Sequence, residues 1–137
     1  MTATVTTRSA SRSTVLRRTG SMARWVLQVF LAVQFASGGV LKLIGDARMV
    51  DLFTDIGVGQ WLRYLVGICE VAAAIGLLVP RLAALAALGL SGLMAGAVVT
   101  NLLIGVNPAM PAAFLLVAGV IGYSRRAQLR RLITLTH

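Results

Sequence analysis

The sequence holds one cysteine, Cys69, and one histidine, His137. A lone cysteine excludes an intramolecular disulfide, and one of each cannot furnish a Cys/His zinc site within the chain. The usual ligands of a protein-held haem or iron–sulfur centre are missing too. Redox chemistry would therefore need a diffusible cofactor or a partner protein. Acids are nearly as scarce: Asp46, Asp51, Asp55 and Glu70 are the full set. No phosphate loop, dinucleotide fingerprint or nucleophile–base pair occurs, so the chain is not expected to be an enzyme on its own.

What the sequence has in excess is apolar surface. Hydrophobic residues make up 58% and charged residues only 12%, with a mean hydropathy of +0.86. A soluble fold of this composition would have too few polar groups to cover itself. The spacing predicts an all-α integral membrane protein with four spans. The first covers 25–44, the second 62–79 and the third 82–106, and a short fourth of about 16 residues ends near Tyr123, each compared with the ~20 residues that a hydrocarbon core requires. Pro80-Arg81 and the run from Asn107 to Pro111 make the later turns. Short connections give an up-down-up-down four-helix bundle. Residues 1–24 read as a disordered basic tail, 25–123 as the membrane domain and 124–137 as a second, amphipathic basic tail.

Between the first two spans lies DARMVDLFTDIGVGQ, residues 46–60. Met49, Leu52, Phe53 and Ile56 fall at i, i+3, i+4 and i+7, one helical face. Asp46 suits the N-cap and Gly57 the C-terminus. The segment is expected to lie on the outer membrane surface as a short amphipathic helix, with Trp61 and Tyr64 marking the interface.

Orientation follows from charge. With the N-terminus inside, Arg8, Arg12, Arg17, Arg18, Arg24, Arg81, Arg125, Arg126, Arg130 and Arg131 all fall inside, ten of the thirteen basic residues. The outer connection sets Lys42, Arg48 and Arg63 against three aspartates. Both termini are thus expected in the cytoplasm. The net charge of +9 fits anionic membrane lipids as partners and not nucleic acid, because the aromatic residues lie in the apolar runs and not among the arginines.

Inside the spans, small residues at four-residue spacing predict close helix contacts: Gly92 and Gly96, Ala72 and Gly76, Ala118 and Gly122. Gln28 and Gln34 read as packing or inner-interface contacts, and Cys69 as a small buried apolar residue. Glu70 is the most informative position. It lies roughly 12 Å deep by helical rise, where a charge costs at least a few kcal/mol unless paired or wetted. Lys42 is its natural partner, because side chains lean toward their own helix N-terminus and these two helices start at opposite ends. Thr100 and Asn101 fall at an intermediate depth. Lys42, Glu70, Thr100 and Asn101 are the candidate ligand-binding residues. The plainer alternatives are a snorkelling lysine, a structural ion pair and an interhelical asparagine.

Four stretches carry a family resemblance: FASGGVLKL at 35–43, IGVGQWLRYLVGICE at 56–70, GLLVPRLAALAALGL at 76–90 and MAGAVVTNL at 94–102. In this order the G-x-x-K-L, G-x-x-E, L-x-P-R and G-A-V-x-T steps resemble the DoxX-like membrane proteins over about residues 25–123. The resemblance implies a small four-helix bacterial inner-membrane protein and carries Lys42 and Glu70 over as the family's intramembrane polar pair. The family often has His where this chain has Asn101, which cannot titrate. Its name comes from a subunit of a quinone-reducing sulfur oxidoreductase. The resemblance thus implies an auxiliary subunit of a redox or oxidative-stress system, with a quinone-like or other small ligand and a membrane or peripheral redox partner. A small proton-coupled carrier, at least a homodimer, is the second reading, and a purely structural scaffold the third.

Overall fold

The computed structural model describes residues 3–135, with side chains from Arg12 onward; His137 and the side chain of Arg8 lie outside them. Among the described residues the chain is entirely helical: α1 (Ala3–Ile44), α2 (Ala47–Ile56), α3 (Gln60–Leu78), α4 (Ala83–Leu103), α5 (Ala109–Ser124) and α6 (Arg126–Thr134). Three of these, α1 from Arg12, α3 and α4, are long and apolar enough to cross a membrane by length and composition; α5, with 16 residues, is a shorter apolar helix.

The breaks between helices have local causes. No proline precedes Pro80, so α1 stops at a glycine instead. Gly45 takes φ +77°, and the Asp46 amide returns to the Leu41 carbonyl at 3.0 Å, closing the last turn in the manner of a Schellman cap. Asp46 then caps α2, its carboxylate accepting from the Arg48 amide at 3.1 Å, and Gly57 ends α2 at φ +76°. Both of these termini are where the sequence pattern put them. The α4–α5 connection repeats the device: Gly105 sits at φ +71° and the Val106 amide bonds the Asn101 carbonyl.

Over residues 3–24 the structure differs from expectation, because α1 extends back through the basic segment to Ala3. That stretch holds one glycine and no proline. Its alanines, arginines and leucine are good helix formers, and the packed helix downstream supplies the nucleus that an isolated segment would lack.

Leu31, Phe35, Leu77, Leu90, Met94 and Ile121 form a continuous core where α1, α3, α4 and α5 meet. α1 and α3 run antiparallel, since Gln28 bonds the Leu77 carbonyl and Lys42 bonds Glu70. Beside the ion pair their backbones touch. A Cβ on Gly39 would lie 2.8 Å from the Gly67 carbonyl oxygen, and one on Gly67 3.0 Å from that of Gly39. Among the predicted small-residue pairs, Gly76 does meet Ala86 of α4, where an added Cβ would stand 2.9 Å away, and Ala118 is wholly buried. Gly92 and Gly96 do not behave as predicted: nothing lies within 4 Å of an added Cβ at either. Outside the core, Val33, Leu65, Ile68, Leu88, Val99 and Leu116 point outward and exposed, an arrangement suited to lipid and not to water.

Candidate functional site

Of the six buried positions on α3, five, Arg63, Gly67, Glu70, Ala74 and Leu77, form a stripe at i, i+4, i+7, i+11 and i+14. Two of the five are charged, and each is met by a group from α1. Lys42 Nζ donates to both Glu70 carboxylate oxygens, at 2.8 and 3.1 Å, with the lysine side chain 13% and the glutamate 5% exposed. The leaning of two oppositely directed side chains therefore closes the gap that helical rise leaves between them. The pair packs against Gly38, where an added Cβ would stand 3.5 Å from Glu70 Oε2, an ordinary van der Waals distance.

Arg63, which the sequence placed among the outer-loop charges, is buried at 4% exposure. Its Nη1 donates to the Lys42 backbone carbonyl, its Nε to Gln60 Oε1 at 2.7 Å, and its guanidinium lies 4.3 Å from the centre of the Tyr64 ring. A buried cation is stabilised here because it faces the C-terminal carbonyls of α1, where the helix dipole is negative. Lys42, Arg63 and Glu70 thus make one corner of two cations and one anion. Arg63 was legible in principle: it lies seven residues before Glu70 on the same helical face.

The Lys42–Glu70 side of this corner opens onto a cavity of about 640 Å³. Lys42 and Glu70 stand on one wall, and Thr100 and Asn101 on another, so all four candidate residues border the same space. The donors of the latter two are engaged locally, Thr100 Oγ1 with the Gly96 carbonyl and Asn101 Nδ2 with the Asn107 carbonyl. The remainder is soft and apolar. Phe35, Phe53 and Phe114 line it together with Met49, Met94 and Met110, and the Phe35 and Phe114 rings are tilted against each other at 5.3 Å. Gly92 and Gly96 also border it, which explains their empty surroundings: they hollow the α4 wall instead of drawing a helix close.

The α2 helix has a different role from that expected. Met49, Leu52, Phe53 and Ile56, the predicted apolar face, all border the cavity, and Phe53 is buried. The face was read correctly, but it covers this hollow; the expected amphipathic helix is turned onto protein. Gln60 holds it, donating to the Val50 carbonyl and Thr54 Oγ1, both at 3.1 Å. Gln34 also borders the cavity, whereas Gln28 is wholly buried in the interior of α1, against the C-terminal end of α3. Cys69 is exposed, not buried as expected, because it is one residue off the inward stripe, turned by about 100°. No group of three or more His, Cys, Asp or Glu that could hold a metal ion occurs among the described residues.

The model of the DoxX-like family matches residues 26–122. No curated protein and no solved structure gives a significant match.

Proposed function

The chain belongs to the DoxX-like family of membrane proteins, and from that premise we propose that its cavity binds a small, mostly apolar ligand with a carbonyl or hydroxyl head, of quinone-like character, in an auxiliary subunit of a redox or oxidative-stress system. The carrying observation is the placement of the Lys42–Glu70 pair on the wall of one glycine-hollowed cavity of about 640 Å³. A drug-sized ligand fits such a volume, with apolar walls for affinity and a few polar groups for orientation. Lys42 carries three donor hydrogens, and Glu70 engages it through two contacts, so a carbonyl oxygen can take the third and be polarised by it. Three aromatic rings and three thioethers favour a flat, polarisable ring over a saturated chain.

In this reading α1, α3, α4 and α5 each cross the bilayer, up-down-up-down, in a bacterial inner membrane with both termini cytoplasmic. The charge asymmetry supports it: all four acids lie between Asp46 and Glu70, at the end where α2 sits, and the arginines of α6 lie at the other. Electrons would come from a redox partner protein.

The experiment is purification in mild detergent followed by mass spectrometry of extracted small molecules, for wild type and Gly96→Leu. The added side chain enters open space, so the variant should fold and lose the ligand. A ligand retained equally by both proteins would exclude this cavity.

A second reading, a structural scaffold, is favoured by the clasp that Lys42, Glu70 and Arg63 make between α1 and α3. A Lys42→Met/Glu70→Gln double variant separates the two. The scaffold reading expects lost assembly, and the ligand reading expects lost binding in an assembled protein.

A further inference from the structure

The polar side chains that border the cavity are Gln34, Ser37, Lys42, Glu70, Thr100 and Asn101. Most are engaged within the chain. Lys42 and Glu70 bond each other. The Ser37 hydroxyl donates to the Gln34 carbonyl at 2.9 Å, and Thr100 and Asn101 donate to nearby carbonyls. The Gln34 side chain alone bonds nothing among the described residues. It stands exposed, midway between Trp25 and Ile44 in the apolar part of α1. Hydrocarbon offers an amide no partner, and leaving its donors and acceptor unmet is costly. Its place on the cavity wall supplies the alternative, a polar atom of whatever the cavity holds.

Geometry narrows what that occupant is. Lys42 Nζ lies 3.8 Å from where a Cβ on Gly38 would stand, so the ammonium rests one turn back from its own backbone. Gln34 is one further turn back, four residues before Gly38 and on the same side of the helix. The backbone rises about 6 Å over those four residues. A single hydroxyl or carboxylate head therefore meets one of the two groups and not both. Two oxygens on opposite sides of a six-membered ring stand about 5 Å apart by ordinary bond lengths. With a hydrogen bond of about 2.9 Å at each end, such a ring bridges a gap of one to two turns. The Phe35 and Phe114 rings supply a face for it. The ammonium only donates, whereas the amide both donates and accepts, so the Gln34 end suits a carbonyl or a hydroxyl.

We propose that Gln34 is the second polar contact of the cavity and restricts its ligand to rings with two opposed oxygens, one on the Lys42 ammonium and the other on the Gln34 amide. The inference rests on the ligand-binding reading of the cavity and narrows it. A fatty acid, an alcohol or a ring with one carbonyl satisfies Lys42 and leaves the amide unmet.

The test is isothermal titration calorimetry of the full chain in mild detergent. One probe is menadione, whose two carbonyls oppose each other across a ring; the other is α-tetralone, a bicycle of similar size with one carbonyl. Wild type, Gln34→Leu and Gly96→Leu are compared. We expect wild type to bind menadione roughly tenfold more tightly than α-tetralone, the worth of one buried hydrogen bond. Gln34→Leu should lose that preference by weakening menadione alone, about tenfold, and Gly96→Leu should bind neither probe. Equal menadione binding by wild type and Gln34→Leu, with Gly96→Leu still without binding, would overturn the second contact and leave the cavity reading standing. Wild type binding neither probe, or Gly96→Leu binding both as wild type does, would remove the cavity reading and this inference with it. Native mass spectrometry of the same samples covers the other use of a mid-span amide. A wild-type dimer that Gln34→Leu dissolves would assign the residue to a contact between two copies and overturn the inference. Gln34→Leu removes no side-chain bond within the chain and adds a good helix former, so the variant should fold.

Discussion

At the scale of single residues, the corner of Lys42, Glu70 and Arg63 decides most. Removing one member of a buried pair leaves the other charge unanswered. Lys42→Met should lower stability by about 3 kcal/mol, and the Lys42→Met/Glu70→Gln double variant by clearly less, as read by thermal unfolding in detergent. The glycines divide in the same concrete way. Gly39→Ala drives a methyl group into the Gly67 carbonyl at 2.8 Å and should cost about 2 kcal/mol. Gly96→Ala meets nothing and should be neutral or stabilise by about 0.5 kcal/mol through helix propensity. Glu70 and Lys42 were legible because a charge among apolar neighbours demands a partner of the right reach. Arg63 and Cys69 were misread because loop membership and apolar composition were weighed ahead of helical phase. The stripe from Arg63 to Leu77 shows that one turn of phase settles both.

At the scale of elements, the termini of α2 were plain in the sequence, since an aspartate followed by an apolar i, i+3, i+4, i+7 set and a glycine leaves little choice. What that apolar face covers was not plain: lipid and the cavity of a neighbouring protein surface ask for the same residues, and only packing distinguishes them. The same ambiguity explains Gly92 and Gly96, because a glycine pair that admits a helix and one that leaves a hollow are spelled alike. Gly57 holds φ +76° with no neighbour within 4 Å. Gly57→Ala should therefore cost about 1 kcal/mol through backbone strain alone, seen as a lower unfolding temperature with cavity binding kept. Leu52→Asp should instead abolish retention of the cavity ligand, because it sets a charge into the apolar roof.

At the scale of the whole molecule, the uneven placement of charge makes a direct prediction of orientation. In a Cys69→Ser background, a membrane-impermeant thiol reagent added to intact cells should label Asp55→Cys and spare Arg130→Cys. The reverse pattern would turn the protein over in the membrane. The all-helical class and the three long apolar helices were legible because apolar runs of about 20 residues have few alternatives in lipid. The course of α1 through the basic segment was not legible, since composition alone gives no sign of a neighbouring helix that can nucleate it.

The backbone contact between Gly39 and Gly67 has a mechanical consequence. The two helices it joins are also tied by the ion pair beside it and by Gln28 toward the far end of α3, so they can neither slide nor roll without breaking three unlike constraints at once. α4 meets α3 closely beside the Pro80 turn, at Gly76 and Ala86, and borders the hollow from Gly92 onward. Any swelling to admit a guest therefore falls on the α4–α5 arm, swinging from its Pro80 end like a door against a fixed jamb.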